Sequence, residues 1–323
     1  MGITLREAER QNTAATMNIE LVEVSPRDGL QSEPVALPTA AKIALIERLI
    51  AAGLRRIEVT SFVNPKRVPQ MADAEAVLAG LPRRADIAYI GLVLNLKGLE
   101  RARAAGCDEV GMAVVASETF NRRNQGVGTE ESLAAWHQIA REARAAGIAA
   151  HVTISAAFGC PFEGDVDPRR VLELALRCAE SEPLEIALAD TIGVAVPSQV
   201  EDLFCSLRER LPTMPLRAHF HNTRNTGLAN VYAAIRSGVR TIDASVGGIG
   251  GCPFAPAATG NVPTEDVLYM LTRMGIETGV SIERLIETAQ WIEQQLGKTV
   301  PGMLMKAGNF PQHRPEAGGP AQA

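Results

Sequence analysis

His219 and His221 stand two residues apart in the run RAHFHN. On a β-strand, residues i and i+2 face the same side, so both imidazoles would enter one space, as two ligands of a single ion must. Other polar residues end or follow short apolar runs: Arg27 and Asp28 in VSPRDG, Glu58 and Ser61 in RIEVTS, Asp190 in ALADT. A glycine-rich segment, GGIGGCPFAPAATGN, adds Cys252 and Asn261. Asp28, His219, His221 and the amide oxygen of Asn261 would make a ligand set rich in oxygen and free of thiolate. Such a set suits Mg²⁺ or Mn²⁺, although its imidazoles would also admit Zn²⁺ or Co²⁺. Arg27 keeps its charge at any working pH and donates in a fixed fork, which suits an oxygen that gains negative charge during a reaction.

Each residue also has an ordinary structural explanation. An HxH pair is commonly a pair of surface or satisfied histidines. An Arg–Asp pair after a strand can be a capping salt bridge, Glu58 between Ile57 and Val59 a buried, paired carboxylate, and Cys252 a small apolar filler. What separates the two readings is whether one fold brings all of these residues to one place.

The order of elements supplies that fold. Near-continuously apolar runs at 20–24, 56–60, 87–93, 109–115, 150–155, 185–189, 217–220 and 241–245 read as parallel strands buried on both faces. Helical patterns occupy 39–52, 130–146, 168–180, 198–211 and 227–237, with Pro168 and Pro197 where a first turn tolerates proline. Gly53, Gly106, Gly147 and Gly238 follow helical runs, where a left-handed stop is cheap for glycine. Eight strands, each followed by a helix, with no glycine-rich phosphate turn after the first, predict a (β/α)8 TIM barrel carrying a glycine-rich lid loop after strand eight. In a closed barrel strand eight pairs with strand one. Strands seven, eight, one and two are then contiguous, and Asp28, Glu58, His219, His221 and Asn261 converge on the rim at strand C-termini, where barrel enzymes place their sites.

The bulk composition agrees. The 323 residues suit one barrel, expected over 19–305, between a loose leader (1–18) and a flexible tail (306–323) rich in Pro, Gly and Ala. A net charge of −5 with dispersed Lys and Arg argues against nucleic acid as a partner. No run reaches the roughly 18 apolar residues of a membrane span, and the polar N-terminus lacks a signal core. Five cysteines without a CxxC pair suggest neither a disulfide framework nor a structural zinc site, and reduced thiols fit the cytoplasm. Cys107, Cys178 and Cys205 read as structural, and His151 as a satisfied barrel histidine.

The segments VEVSPRDGLQSEP, IEVTSFVNPKRVPQM, LNLKG, GCPFEG, ADTIGV, HFHNTRNTGLAN and GGIGGCPFAPAATGNVPTEDVLYML resemble hydroxymethylglutaryl-CoA lyases in order and spacing, from about Ile19 to Gly297. The resemblance implies a metal-dependent retro-Claisen cleavage of 3-hydroxy-3-methylglutaryl-CoA to acetoacetate and acetyl-CoA. It implies Asp28, His219, His221 and Asn261 as metal ligands, and Arg27, Glu58, Asp190, His219 and Cys252 as catalytic. Substrate contacts fall to Arg27, Gln31, Ser61 and Asn95. A homodimer acting on an acyl-CoA is implied as well. Two departures bear on the acyl group: Asn222-Thr223-Arg224-Asn225 stands where these lyases carry Asp-Thr-Tyr-Gly, and Ala187 where serine is expected. They keep open a lyase for another 3-hydroxyacyl-CoA, such as citramalyl-CoA. An acetyl-CoA-dependent 2-oxo acid acyltransferase is a further alternative, and a non-catalytic barrel is the least favoured.

Overall fold

Eight strands close into one parallel barrel in sequence order, β1 hydrogen-bonding to β8. They are β1 (Glu20–Glu23), β2 (Arg56–Ser61), β3 (Ala88–Leu92), β4 (Glu109–Val115), β5 (Ala149–Ser155), β6 (Ile186–Asp190), β7 (Leu216–Phe220) and β8 (Thr241–Ala244). This computed structural model describes residues 18–251 and 260–311. The expected leader, apart from residue 18, the crown of the glycine-rich loop with Cys252, and the last twelve residues lie outside the described residues.

The helices form an outer ring: α1 (Thr39–Ala52), α2 (Ala74–Gly80), α3 (Leu96–Ala105), α4 (Glu118–Gln125), α5 (Thr129–Ala145), α6 (Pro168–Ala179), α7 (Pro197–Arg210), α8 (Gly227–Arg236), α9 (Thr264–Arg273), α10 (Ile282–Leu296) and α11 (Leu304–Ala307). α1 buries Leu45, Ile46 and Leu49 against the barrel. The four glycines expected to stop helices all take positive φ. α11 crosses the expected start of the tail, and Lys306 donates to the Val300 carbonyl, so ordered packing continues past residue 305. No described helix is long and apolar enough to cross a membrane.

β1 ends one residue before the expected Val24. The Val24 carbonyl accepts the N–H groups of Asp28 and Gly29, and a single π-helical turn (Ser25–Gly29) follows. Turns of this kind are rare and recur at functional sites. This one lifts Arg27 and Asp28 off the strand axis over the barrel mouth.

Candidate active site

The mouth of the barrel holds a cavity of about 480 Å³ lined by residues of most strands, among them Arg27, Asp28, Glu58, His219 and His221. That volume suits a small ligand. β7 carries His219 inward, and His221 follows one step beyond the strand. The imidazole Nε2 atoms of His219 and His221 lie 4.0 and 3.9 Å from Asp28 Oδ2. One ligand atom from each of the three residues falls within 4.8 Å of the others.

The local chemistry fits a divalent cation. His219 Nδ1 meets Asp243 Oδ2 at 3.1 Å, which places the ring proton there and leaves the Nε2 lone pair toward Asp28. A carboxylate behind a ligating histidine is the usual means of fixing its tautomer. Burial and the neighbouring His219 push His221 down to about 4, so it is a neutral imidazole near neutral pH. Its Nδ1 is buried with no hydrogen-bond partner among the described residues. Burial alone would raise the Asp28 carboxyl, but Arg27 and the two histidines hold it well below the usual range. Burial opposes the charge on His219, yet the hydrogen bond and charge of Asp243 lift it above its ordinary value.

Asn261 sits beside this trio, bridged to His221 through the backbone. Its amide nitrogen donates to Asp28 Oδ2 at 2.7 Å and to the Ile249 carbonyl at 3.2 Å. The expectation of an amide-oxygen ligand is therefore not what this conformation presents. Oxygen and nitrogen would have to exchange places by a turn about the side-chain amide, and the Asp28 carboxylate draws the donor end instead.

Arg27 spans the site. Nη1 donates to Asp28 at 2.8 Å and Nη2 to Glu58 at 2.7 Å. Burial works against the guanidinium charge, but Glu58 and Asp28 raise its pKa further. The loop that carries Asn261 is held at its roots by two buried acids. Glu23 accepts from the N–H groups of Ser25 and Val246 and from the Thr264 hydroxyl, while Glu265 accepts from Gly247 N–H at 3.0 Å. At Gly260 (φ 108°) a Cβ would lie 2.2 Å from the Gly250 carbonyl, so only glycine closes this return.

Of the residues expected to contact substrate, Gln31 and Asn95 line the cavity. Asn95 also caps α3, accepting from Gly98 N–H at 2.9 Å. Ser61, also expected to contact substrate, is buried behind Gln31, to which it donates at 3.3 Å. A register shift in β2 between Glu58 and Thr60 sets Ser61 beside Leu92, which lines the cavity. Asp190, expected among the catalytic residues, ends β6. Its two carboxylate oxygens accept from Val194 and Ala195 N–H at 2.9 Å each. With both oxygens committed to the loop after β6, it braces that loop; burial pushes its carboxyl pKa up despite those donors. Cys252 lies outside the described residues.

The two departures in the acyl region also point elsewhere. Arg224 donates to the carbonyls of Ile192 and Gly193, and Asn222 accepts from Gly227 N–H. Neither they nor Ala187 line the cavity. Cys205, expected to be structural, is exposed on α7, whereas Cys107 and Cys178 are buried, and burial pushes both thiols up to about 12. His151 is satisfied by Glu109 at 2.6 Å, as expected. Asp243 went unnoticed in the sequence. Its signal was a single acid in the apolar run TIDAS, in register with His219 on the neighbouring strand.

Comparison with known proteins agrees with this geometry. The HMGL-like family profile matches residues 18–292. An (R)-citramalyl-CoA lyase from Chloroflexus aurantiacus is 43% identical over 305 residues, covering 91% of this chain and 96% of that protein. A hydroxymethylglutaryl-CoA lyase from Bacillus subtilis is 44% identical over 283 residues, covering 88% and 95%. The solved structure of an HMG-CoA lyase from Acinetobacter baumannii in complex with coenzyme A and 3-methylmalate superposes with a TM-score of 0.88 at 41% identity, covering 92% and 97%. With three-quarters or more of its length matched and its barrel superposed on solved relatives, the chain belongs to the HMGL-like family, a family of carbon–carbon lyases.

Proposed function

We propose that this protein cleaves 3-hydroxy-3-methylglutaryl-CoA to acetoacetate and acetyl-CoA with the help of a divalent cation. The observation that carries the reading is the gathering of Asp28, His219 and His221 at the barrel mouth, with Arg27 bridging Asp28 to Glu58. Those three residues would hold Mg²⁺ or Mn²⁺, with Asn261 beside them. When bound, the cation supplies Lewis acidity that orients and acidifies substrate oxygens.

The remaining work belongs to side chains. The 3-hydroxyl must lose its proton as the C2–C3 bond breaks. C3 then becomes the ketone of acetoacetate, and the electron pair passes to the thioester as an enolate. His219 has one nitrogen on Asp243 and the other toward Asp28, so it has a ligand's role and no spare lone pair for a base. Glu58 lines the cavity beside Arg27 and would accept the hydroxyl proton. Arg27 stabilises the oxygen on which the enolate charge gathers. Cys252 is the candidate that returns a proton to the enolate carbon, and Gln31 and Asn95 contact the acyl-CoA. The same reading places the enzyme in the cytoplasm as a homodimer.

A second reading rests on the similarity to a citramalyl-CoA lyase, where the same bond cleavage would release pyruvate. One experiment separates the two. The Mn²⁺-loaded protein is incubated with each acyl-CoA and the products are identified by mass. Acetoacetate with acetyl-CoA supports the main reading, pyruvate with acetyl-CoA selects the alternative, and intact thioesters in both cases refute both.

A further inference from the structure

Below the Asp28–His219–His221 trio the barrel interior is filled with charge, where such barrels usually stack branched apolar side chains. Arg56 on β2 donates to Glu20 at 2.6 Å and to Glu109 and Glu185 at 2.7 Å each. Arg217 on β7, 2% exposed, donates through Nε to Asp243 Oδ1 at 2.5 Å and through Nη1 to Glu185 at 3.3 Å. The same Nη1 lies 3.3 Å from His151 Nε2. The fold makes room for this: a Cβ at Gly111 would sit 2.5 Å from His151 Nε2. Buried ion networks are poor devices for stability, since apolar side chains of similar volume often replace them without loss. Their presence here calls for another use, and the connectivity supplies one. Arg217 occupies one oxygen of Asp243, and His219 Nδ1 occupies the other.

We propose that Arg217 is a positioning residue for the cation site: by anchoring Asp243 Oδ1 it keeps Oδ2 on His219 Nδ1, so that His219 Nε2 faces Asp28. A carboxylate held on one oxygen only can turn about its last bond. Held on both, it fixes the imidazole plane and tautomer. The inference rests on reading Asp28, His219 and His221 as cation ligands, and goes beyond it in placing control of the site a full layer deeper, on a residue that touches no ligand.

The test is Mn²⁺ binding by titration calorimetry, without substrate, on wild type, Arg217→Met, Asp243→Asn, the double variant and Arg56→Met. Arg217→Met should bind Mn²⁺ about 10–100-fold more weakly, the usual cost of losing an outer-shell partner. The double variant should be no weaker than the worse of its two parents, and Arg56→Met, which removes an equal charge from the same network, should bind as wild type does. An unchanged Kd in Arg217→Met, additive losses in the double variant, or an equal loss in Arg56→Met overturns the role. Wild type that does not bind Mn²⁺ refutes the ligand reading itself, a separate failure. Should Arg217→Met not fold, imidazole ¹⁵N spectra of the metal-free wild type decide: His219 protonated at Nδ1 supports the proposal, and protonation at Nε2 alone overturns it.

Discussion

Arg27 and the two histidines carry the sharpest expectations at the residue scale. Arg27→Lys retains a charge but loses the fork that joins Asp28 to Glu58. Turnover should fall by about 10²–10³ while Mn²⁺ still binds. Steady-state kinetics beside calorimetry check this, and near-normal turnover would remove Arg27 from the chemistry. His221→Ala should lose Mn²⁺ and activity together, because it takes away one of the three clustered groups proposed as ligands; full metal occupancy in that variant refutes the assignment. Cys252→Ser should slow the reaction with no change in Tm, whereas a sharp fall in Tm would make the cysteine a packing residue. These residues were legible in the sequence because each has a chemical type that an apolar strand end does not need. Arg217 and Asp243 were not, since an arginine and an aspartate in strands read as paired surface charges until closure of the barrel turns them inward.

At the scale of elements, the strands and five of the helices follow from apolar runs, prolines and glycine stops, and their ends shift by no more than a single residue, as cap geometry commonly allows. The loops were harder to read. Asp190 ends β6 as an active-site acid should, yet it turns back to hold Val194 and Ala195, because two backbone N–H groups of a tight loop compete for the nearest carboxylate. Asp190→Ala should therefore cost about 1–3 kcal/mol of stability, the penalty of donors left without an acceptor, and leave the Mn²⁺ affinity alone. Chemical denaturation and calorimetry measure both. A collapse of turnover at unchanged stability would instead give Asp190 a part in the chemistry. The π-helical turn that presents Arg27 and Asp28 likewise lay beyond periodicity, since one extra residue in a turn leaves no apolar signature.

For the whole molecule, the buried acids behind the glycine-rich loop set a pH dependence. Burial pushes Glu265 up to about 8 from an ordinary 4.5, with Asp266 and Glu23 adding to the effect. A carboxyl with a raised pKa stays protonated in the fold while the unfolded chain ionises. Between about 4.5 and about 8 the native state holds the extra proton, so this group's contribution to stability falls as pH rises. Glu265→Gln cannot ionise and should flatten that decline. Melting curves of both proteins across the window from about pH 5 to about pH 8 compare the slopes, and parallel curves would mean that Glu265 is not the source.

Asp28 and Asn261 are 233 positions apart and meet only because β1 pairs with β8. No half-barrel would hold the proposed cation site, because Asp28 follows β1 and the two histidines lie at β7, and only β8 joins those strands. Metal capture is thus a report on completed closure. A cation that binds only the closed ring holds it shut by mass action, to a degree set by its concentration relative to Kd. Chelation should accordingly loosen the seam between the first and last strands before any other, which hydrogen exchange at Val22 and Asp243 can follow.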